Sequence, residues 1–279
     1  MSISATITVF NEERRIESTL KSFAWCDEIV LLDKQSTDKT VSIAKRFTNN
    51  IIVVPWQEFR AEENKIILDL VKSEWVFSIT ASDLIHPKLA AQILELTREE
   101  NFPYDVIHIP FRRYVLGLDN LRSPWHGALN PLVFRKSVVK INYNSVHSAR
   151  YFDTDRNYQM PKSDEYCMYH LTHETVDLMM DRHMRYWHAE AKSFPPTLPL
   201  SNALKQILVS IYDVLFKRKT WLTGWDGVAL IMAFLSYSVL RFVYIWEQRC
   251  SKAPQIYLTI RESVSQAWSE SERTNQGDK

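Results

Sequence analysis

Four short apolar runs stand in the N-terminal part of this 279-residue chain: Ser4-Ala-Thr-Ile-Thr-Val-Phe10, Glu28-Ile-Val-Leu-Leu-Asp33, Ile51-Ile-Val-Val54 and Trp75-Val-Phe-Ser-Ile79. Their length and their β-branched residues predict strands. Helical patterns follow them at residues 11–22, 41–47, 62–72 and 89–99, and Asn11 is a candidate N-cap. Near-continuous apolar strands that alternate with helices predict an α/β fold with a mostly parallel central sheet covered on both faces.

Polar residues stand at the carboxyl ends of three of these runs. Asn11 and Glu12 follow the first run, Asp33 ends the second, and Thr80-Ala-Ser-Asp83 follows the fourth. The strands of a parallel sheet end at one edge, and ligands of open α/β sheets bind outside those carboxyl ends. We therefore expect these residues to form one site.

The composition excludes some classes of function. A formal net charge of +1 argues against a surface built for nucleic acid. Cys26, Cys167 and Cys250 give neither a disulfide framework nor a zinc spacing, which favours a reduced, cytoplasmic compartment. No charged segment followed by an apolar stretch opens the chain, so we expect no signal peptide. Four later histidines lack the spacing of a helical zinc site: His170, His173, His183 and His188.

The last third of the chain carries amphipathic helical patterns. The apolar segments Ile207–Phe216 and Val228–Leu240 flank the basic cluster Lys217–Lys219. Neither unbroken run reaches the roughly 20 residues that a membrane span needs. Basic residues beside tryptophans are typical of helices that lie in the headgroup plane, and a pair of buried core helices is the alternative. Trp221 and Trp225 are predicted to face the membrane, together with several of Leu230, Phe234, Tyr237 and Trp246.

Several motifs together resemble the opening of family 2 glycosyltransferases, and the lipopolysaccharide-core β-glucosyltransferase-like subgroup is the closest. They are Thr8-Val-Phe-Asn-Glu-Glu13, Trp25-Cys-Asp-Glu-Ile-Val-Leu-Leu-Asp33, Ser36-Thr-Asp-Lys-Thr40 and Trp56–Asn64, with weaker likeness at Phe134–Lys136, Val146–His147 and Gly224-Trp-Asp-Gly227. The resemblance implies a GT-A fold, which is a Rossmann-like domain that binds nucleotide sugars. Residues 1–193 would form this catalytic domain, with a nucleotide-sugar half at about 1–100 and an acceptor half at about 101–193.

The rest of the chain follows from the sequence pattern. Residues 105–166 are predicted to be irregular because prolines punctuate them, and a helical pattern then runs from about His173 to Ala191. After the proline-rich hinge at Phe194–Pro199, residues 194–268 are predicted to form an amphipathic helical segment. Residues 269–279 are polar, and we expect a flexible tail.

The resemblance assigns the donor-binding residues. Thr8, Phe10 and Glu12 would line the nucleoside pocket, and Asp33 would accept a hydrogen bond from the base. The alternatives are core packing for Phe10 and a turn or capping role for Asp33. The other implied donor contacts are Asn64, Ser82 and Arg135, and a solvated ion pair is the alternative for the arginine.

The implied metal motif is altered in this chain. Family members carry an Asp-x-Asp that holds a divalent cation against the donor pyrophosphate, whereas Thr80 and Ser82 stand at those positions and Asp83 follows. Three interpretations stay open. Asp83, alone or with Ser82, holds Mg²⁺ or Mn²⁺ at a weakened site; basic residues replace the metal; or catalysis is lost.

The catalytic base is also altered. An inverting transfer needs a group that deprotonates the acceptor hydroxyl. The His-Glu pair of the subgroup appears here as His147-Ser148, so His147 is the first candidate for this base. A structural histidine is the alternative, and Asp164 and Glu165 are further candidates without a motif.

These observations favour an inverting glycosyltransferase that moves a sugar from a nucleotide-sugar donor, with a UDP-sugar as first choice, to a lipid-linked or lipopolysaccharide/polysaccharide acceptor. We expect a peripheral protein on the inner face of the cell membrane, with the membrane surface as a partner and no nucleic acid. The alternative is a catalytically degenerate homologue that acts as a nucleotide-sugar-binding or scaffold protein.

Overall fold

The computed structural model describes residues 1–55, 60–119, 121–126, 129–141, 150–162, 166–193 and 200–277. The first part contains β1 Ile3–Val9, α1 Ile16–Ser22, β2 Glu28–Asp33, α2 Thr40–Ala44, β3 Ile51–Val53, α3 Arg60–Leu70, β4 Trp75–Ile79, β5 Asp83–Ile85 and α4 Pro87–Arg98. The middle adds β6 Val106–Val115, β7 Leu129–Arg135, β8 Val139–Ile141, β9 Arg150–Phe152, β10 Asn157–Gln159 and β11 Met168–Thr172. The last part is helical, with α5 Val176–Ser193, α6 Leu200–Tyr212, a π-helical turn at Asp213–Lys217, a 3₁₀ turn at Thr220–Thr223, α7 Trp225–Cys250 and α8 Ala253–Gly277.

One mostly parallel sheet organises the chain, in the order β3-β2-β1-β4-β7-β6-β11-β5. β1 pairs in parallel with β2 and β4, and β6 pairs in parallel with β10 and β11. β7 is antiparallel to both of its neighbours, so β4, β6 and β11 run in the same direction. The predicted α/β fold is confirmed, and the carboxyl ends of the parallel strands share one edge.

The prediction of an irregular segment over residues 105–166 is wrong. β6 and β7 lie in this segment and join the two halves of the sheet. Pro110 lies inside β6, and Pro131 lies inside β7, where it faces His108 next to a shift in the register. A strand tolerates proline at such an irregularity because the ladder hydrogen bonds are already interrupted there.

Both faces of the sheet are buried, as near-continuous apolar strands require. In β2, Ile29 and Leu31 belong to one apolar cluster, whereas Leu32 and Val30 belong to another. All four side chains are at most 6% exposed. A shift of the register by one residue would exchange the two sets of side chains, so this burial fixes how β2 aligns with β1.

The C-terminal helices are longer than predicted. α7 has 26 residues, because Arg241 does not interrupt it and Phe242–Trp246 extend its apolar pattern. In the described ranges, α7 is the one helix long and apolar enough to cross a membrane, with a mean hydropathy of 2.0 over a window that is 22% buried. α8 continues to Gly277, so the segment predicted as a flexible tail is helical as far as the structure describes it.

Trp221 and Trp225 are exposed, as predicted for the membrane face, and so is Trp246. Of the four further candidates only this tryptophan is exposed, fewer than predicted, and the other three face the protein. Leu230 is fully buried, Phe234 packs edge-on against Trp125 with 5.5 Å between the ring centres, and the Tyr237 hydroxyl donates to Glu190 at 2.8 Å. α7 therefore presents one face to the protein and one face to solvent.

Gly227 explains part of the Gly-Trp-Asp-Gly segment at the start of α7. A Cβ at this position would lie 2.1 Å from the Thr220 carbonyl oxygen and 2.4 Å from the Thr223 Oγ1. No side chain fits so close to a backbone oxygen. The glycine therefore allows the 3₁₀ turn to pack directly against α7.

A cluster of polar and aromatic side chains joins α7 to α5. The His183 ring lies 4.6 Å from the Tyr237 ring and 5.1 Å from the His173 ring, centre to centre. Arg241 approaches the Glu190 carboxylate to 3.5 Å, beside the Tyr237 hydroxyl. Burial lowers the pKa of His173 to about 3 and that of His183 to about 4, and nearby positive charge adds to the shift. Both imidazoles are therefore neutral at pH 7.

We predict that the free energy of unfolding falls as the pH drops from about 6.5 toward 5. In this window the unfolded chain binds protons at His173 and His183, whereas the folded chain leaves both rings neutral, so acid favours unfolding. The expected loss is about 3 kcal/mol by pH 5 for the two rings together, and urea unfolding at pH 7, 6 and 5 measures it.

Two variants test this assignment. His183→Phe keeps an aromatic ring without titrating nitrogens, so the slope of stability against pH should flatten. His126→Gln, outside this cluster, serves as the matched control and should leave the slope unchanged. An unaltered slope in His183→Phe would contradict the assignment.

Candidate active site

The loops that follow β1 and β2 are hydrogen-bonded to each other. The Asn11 backbone N–H donates to the Ser36 Oγ at 2.9 Å, and the Asn11 Oδ1 accepts from the Thr37 backbone N–H at 2.8 Å. The Glu12 backbone N–H donates to the Thr40 Oγ1 at 2.7 Å. Asn11 is not the predicted N-cap, because it has a φ of 53° and α1 begins only after this loop. Asparagine tolerates this left-handed conformation better than most residues.

Asp33 ends β2 and shapes the turn that follows it. The residue is 1% exposed, and its two carboxylate oxygens lie 3.2 and 3.1 Å from the Ser36 backbone N–H, which donates to them. In the sheet register Asp33 lies opposite Val9, the residue that precedes Phe10. The structure thus shows the turn role and places the carboxylate beside the end of β1. A contact between Asp33 and a base stays a prediction.

A small cleft of about 80 Å³ opens beside Phe10 and Glu12. Residues from the loop after β1 and from the segment that begins α5 line it, among them Arg15, His173 and Arg182. The Glu12 carboxylate accepts from the Arg15 guanidinium at 3.0 Å. Phe10 is half-buried at the cleft and is not part of the core, which favours the pocket-lining interpretation of this ring.

A larger cavity of about 450 Å³ lies at the opposite edge of the sheet, where β1 and β2 begin. Its lining includes Ser2, Asp27, Glu28, Asn50 and Lys72. Ligands of open α/β sheets bind at the carboxyl ends of the strands. We therefore place the candidate site at the smaller cleft.

Asp83 opens β5 at the carboxyl edge and is 3% exposed. Its Oδ2 accepts from the backbone N–H and the hydroxyl of Thr80, at 2.6 and 2.9 Å, and its Oδ1 lies 2.6 Å from the His170 Nδ1. Ser82 is also buried, and its carbonyl oxygen accepts from the Leu171 backbone N–H at 2.8 Å. Residues 80–83 are therefore held against β11.

These residues do not fit a tightly bound divalent cation, which needs several free oxygen ligands. Thr80 and Ser82 bring hydroxyls where carboxylates are expected, and each oxygen of Asp83 already accepts a hydrogen bond. In the described part of the chain, no group of three or more His, Cys, Asp or Glu residues is placed to hold a metal. The predicted cation site therefore contains one carboxylate, that of Asp83.

The structure separates Arg135 from the other predicted donor residues. Arg135 is in register with Trp75 at the start of β4, and its guanidinium carbon lies 4.5 Å from the centre of that ring. It also forms ion pairs with Glu74 and Asp105. Arg135 therefore lies at the opposite edge of the sheet, where it forms the ion pairs that were the alternative to a phosphate contact.

The remaining predicted residues lie near the site or outside the described residues. Thr8 is half-buried near the end of β1. Asn64 lies in α3, where the neighbouring Glu63 forms an ion pair with Lys34, the residue after Asp33. Three base candidates lie outside the described residues: His147, Asp164 and Glu165.

Sequence reasoning missed His170 and two arginines. His170 is the register partner of Asp83 on one side and of Arg113 on the other. Arg182 reaches the same strand from α5, and its Nη1 donates to the Thr172 Oγ1 at 2.9 Å. No local motif marks these residues, since only the long-range pairing of β5, β11 and β6 brings them together.

The sequence profile described as Glycosyl transferase family 2 matches residues 4–170. An uncharacterized glycosyltransferase of Rickettsia bellii is 31% identical over 36% of this chain and 34% of its own length. The glycosyltransferase SunS of Bacillus phage SPbeta is 33% identical over 39% of this chain and 27% of its own. The lipopolysaccharide core biosynthesis glycosyltransferase LpsC of Rhizobium meliloti is 27% identical over 34% of this chain and 36% of its own. The chain thus spans about a third of the length of these relatives.

Two groups of solved structures are similar to this chain. TarS of S. aureus, solved with UDP, superposes with a TM-score of 0.48 and 15% identity over 85% of this chain and 90% of its own. Glucosyl-3-phosphoglycerate synthase from Mycobacterium tuberculosis, solved with Mn²⁺, UDP-glucose and phosphoglyceric acid, gives a TM-score of 0.47 and 15% identity over 69% and 78%. The family profile begins in β1 and ends in β11, so it covers the sheet and the loops of the candidate site. The chain belongs to glycosyl transferase family 2 and has the GT-A fold.

Proposed function

We propose that this protein is an inverting glycosyltransferase that moves a sugar from a nucleotide-sugar donor to a lipid-linked or lipopolysaccharide/polysaccharide acceptor at the cytoplasmic membrane face. One observation carries the proposal. α5 contributes Arg182 to the cleft beside Phe10 and also packs against α7, whose outer face is apolar and exposed. The helix α5 thus contributes a residue to the proposed donor cleft and packs against the helix that carries the proposed membrane surface. The name of LpsC supports an acceptor of the lipopolysaccharide type.

The donor is a nucleotide sugar, with a UDP-sugar as the first choice. The Asp33 carboxylate accepts only the Ser36 N–H among the described residues, so lone pairs are free to accept the N3–H of uracil. The half-buried Phe10 ring offers an apolar face to the base. Thr8 and Glu12 line the nucleoside pocket, and the other proposed donor contacts are Asn64 and Ser82.

The reaction is a direct displacement. The acceptor hydroxyl oxygen attacks the anomeric carbon from the face opposite the diphosphate, and the bond between that carbon and the phosphate oxygen breaks. The proton of the hydroxyl passes to a general base, for which His147 is our candidate. An α-linked donor then gives a β-linked product. No step is assigned to a divalent cation, because the residues around Asp83 do not fit one.

The membrane surface comprises the exposed apolar side chains of the C-terminal helices. They include Leu204, Leu208, Val209, Tyr212, Phe216, Trp221, Trp225, Met232, Val243, Trp246, Ile256, Ile260, Val264 and Trp268. An exposed apolar surface of this extent marks an interaction site. Lys217 and Lys219 stand between α6 and α7, where they favour contact with anionic headgroups.

We propose that α7 lies along the membrane and does not cross it. The Tyr237 hydroxyl donates to Glu190 at 2.8 Å, and the Tyr244 hydroxyl lies 2.9 Å from the His188 Nδ1. Both contacts hold α7 against α5 of the catalytic domain. A crossing helix would place these polar side chains in the bilayer core, which is unfavourable.

A second candidate function is binding without turnover. It is favoured by the hydroxyls of Thr80 and Ser82, which replace the two expected carboxylates. A protein of this kind would bind a nucleotide sugar and act as a scaffold in a glycan assembly pathway.

One experiment separates the two functions. Thermal unfolding is measured with UDP-, GDP- and TDP-sugars, with and without Mn²⁺, because a ligand bound by the native state raises the melting temperature. The stabilising donor is then tested for sugar transfer to a lipid extract. Stabilisation with transfer supports the transferase, and stabilisation without transfer or hydrolysis supports the scaffold. No stabilisation by any donor contradicts both.

We predict that Asp33→Asn weakens UDP binding by about 10- to 100-fold, since a hydrogen bond to a charged group contributes about 1.5 to 3 kcal/mol. Asparagine keeps one oxygen for the Ser36 N–H, so the turn is retained. Calorimetry measures the affinity, and Asp69→Asn on the exposed face of α3 is the control. Unchanged affinity in a folded Asp33→Asn protein would remove Asp33 from the donor site.

We predict that the double variant Lys217→Glu, Lys219→Glu binds anionic vesicles at least about 10-fold more weakly, because each basic residue near such a surface contributes about 1 kcal/mol. Arg218 is left unchanged, since it pairs with Asp213 at 2.7 Å. Vesicle sedimentation measures the binding, and Lys45→Glu, at the residue that follows α2, is the matched control.

Salt and an apolar variant test the remaining part of this surface. Added salt should weaken wild-type binding without complete release, because burial of apolar side chains is insensitive to screening. Trp225→Ala should weaken binding to neutral and anionic vesicles alike. A protein that stays in the supernatant with every vesicle composition would exclude the membrane surface.

A further inference from the structure

Asp83, His170 and Arg113 form a row of side chains across three strands. His170 in β11 is the register partner of Asp83 in β5 and of Arg113 in β6. Residues opposite each other on neighbouring strands project from the same face of the sheet. The row therefore places a carboxylate, an imidazole and a guanidinium side by side near the carboxyl ends of β6 and β11.

The charge of Arg113 is poorly compensated. Its Nη1 donates to the Trp125 carbonyl oxygen at 3.2 Å, and its guanidinium carbon lies 5.3 Å from the centre of the Phe111 ring. Its Nε is buried and has no partner in the described chain. Burial lowers the pKa of Arg113, and the charge of Asp83 opposes this shift. No ion pair joins Asp83 to Arg113 within the described chain, where the Asp83 oxygens contact Thr80 and His170.

Arg182 is a second such cation. It donates to Thr172, which lies two residues beyond His170 and hence on the same face of β11. Burial lowers the pKa of Arg182, the like charge of Arg15 adds to the shift, and the Glu12 carboxylate opposes it. Neither Arg182 nor Arg113 forms an ion pair within the part of the chain that the structure describes.

Two partly buried cations at one edge of the sheet favour an anion that completes the site. Arginine keeps its charge at neutral pH even when it is partly buried, and a desolvated charge without a counter-ion destabilises the fold. The guanidinium fork matches phosphate oxygens in geometry. Both arginines lie at the carboxyl edge of the sheet, where Thr80 and Ser82 provide no carboxylate to hold a cation.

We propose that Arg113 and Arg182 bind the diphosphate of the nucleotide-sugar donor directly and neutralise it as it leaves, with no divalent cation between them. This inference rests on the proposed function, because it presupposes a nucleotide-sugar donor. Asp83 is a positioning residue. Its carboxylate orients the His170 ring by contact with the His170 Nδ1, and its negative charge attracts the Arg113 guanidinium.

The two guanidinium groups act on the bond that breaks. When the bond between the anomeric carbon and the β-phosphate oxygen breaks, its electron pair stays on that oxygen. The acceptor oxygen forms the new bond to carbon and loses its proton to the base. Fixed donors aimed at the oxygen where charge develops stabilise the transition state more than the ground state.

The test compares UDP with uridine on the full chain in detergent, by calorimetry in the presence of EDTA. The two ligands share base and ribose, so the ratio of their affinities isolates the diphosphate. We expect UDP to bind at least about 100-fold more tightly than uridine without metal, and Mn²⁺ to change this ratio less than about threefold. An advantage of UDP that appears only with Mn²⁺ would overturn the proposal.

Variants of the two arginines give the second arm of the test. Arg113→Gln and Arg182→Gln should each weaken UDP binding about 10-fold or more, leave uridine binding unchanged, and lower turnover about 100-fold. Arg112→Gln, the neighbour that faces the other side of β6 and pairs with Asp119, is the matched control. Retention of the full UDP advantage in both glutamine variants would overturn the proposal.

The uridine measurement distinguishes a variant that does not fold from a variant whose behaviour contradicts the proposal. A glutamine variant that binds neither ligand has lost its fold. The affinities of Arg113→Lys and Arg182→Lys for UDP and uridine are then measured in its place. Lysine keeps the charge but loses the fork, so a reduced UDP advantage supports the proposal and an undiminished one contradicts it. A wild-type protein that binds neither uridine nor UDP, with or without Mn²⁺, refutes the UDP-sugar donor of the proposed function, on which this inference rests.

Discussion

The parallel pairing of β1 with both β2 and β4 is the constraint on which the site depends. Its register places Val9 beside Asp33 and Ile7 beside Ile79, so three strands end at one edge and their loops have to meet. Because both faces of these strands are buried, a change of register would expose apolar side chains, and the alignment is fixed. The hydrogen bonds from Asn11 to the second loop then hold the site in shape before a ligand arrives, which lowers the entropic cost of binding.

The charges at this edge differ from those of a site built around a metal. Two adjacent carboxylates repel each other and the donor diphosphate, so a cation has to lie between them. The hydroxyls of Thr80 and Ser82 remove this repulsion, and Asp83 is left with hydrogen-bond donors on both oxygens. With one carboxylate in this segment, the guanidinium groups proposed to bind the diphosphate would not compete with an acidic motif. The altered motif and two arginines without an ion pair in the described part of the chain are thus consistent with one electrostatic arrangement.

The first half of the fold could be predicted from the sequence because its strands are local apolar runs, and β2 and β4 begin and end as predicted. The second half could not, since β6, β7 and β11 are defined by long-range pairing, and β6 and β7 contain prolines. Arg135 shows the consequence. The Phe134–Lys136 motif could be recognised in the sequence. However, β7 runs antiparallel to β4, so Arg135 lies beside the start of β4, at the edge opposite the candidate site. His170 was missed for the same reason, because no local pattern reveals its partnership with Asp83.

α5 connects the chemistry to the outer surface of the protein. Arg182 and His183 are consecutive on this helix, so one side chain faces the cleft and the next packs against Tyr237 of α7. The exposed apolar face of α7 lies on the other side of that contact. A membrane bound at the proposed surface would therefore act on α5 through the contact between His183 and Tyr237. Packed elements of this kind have discrete arrangements and do not deform continuously, so we expect the position of Arg182 to depend on how α7 packs against α5. In the proposed function, α5 would thus couple an acceptor presented at the surface to a donor held in the cleft.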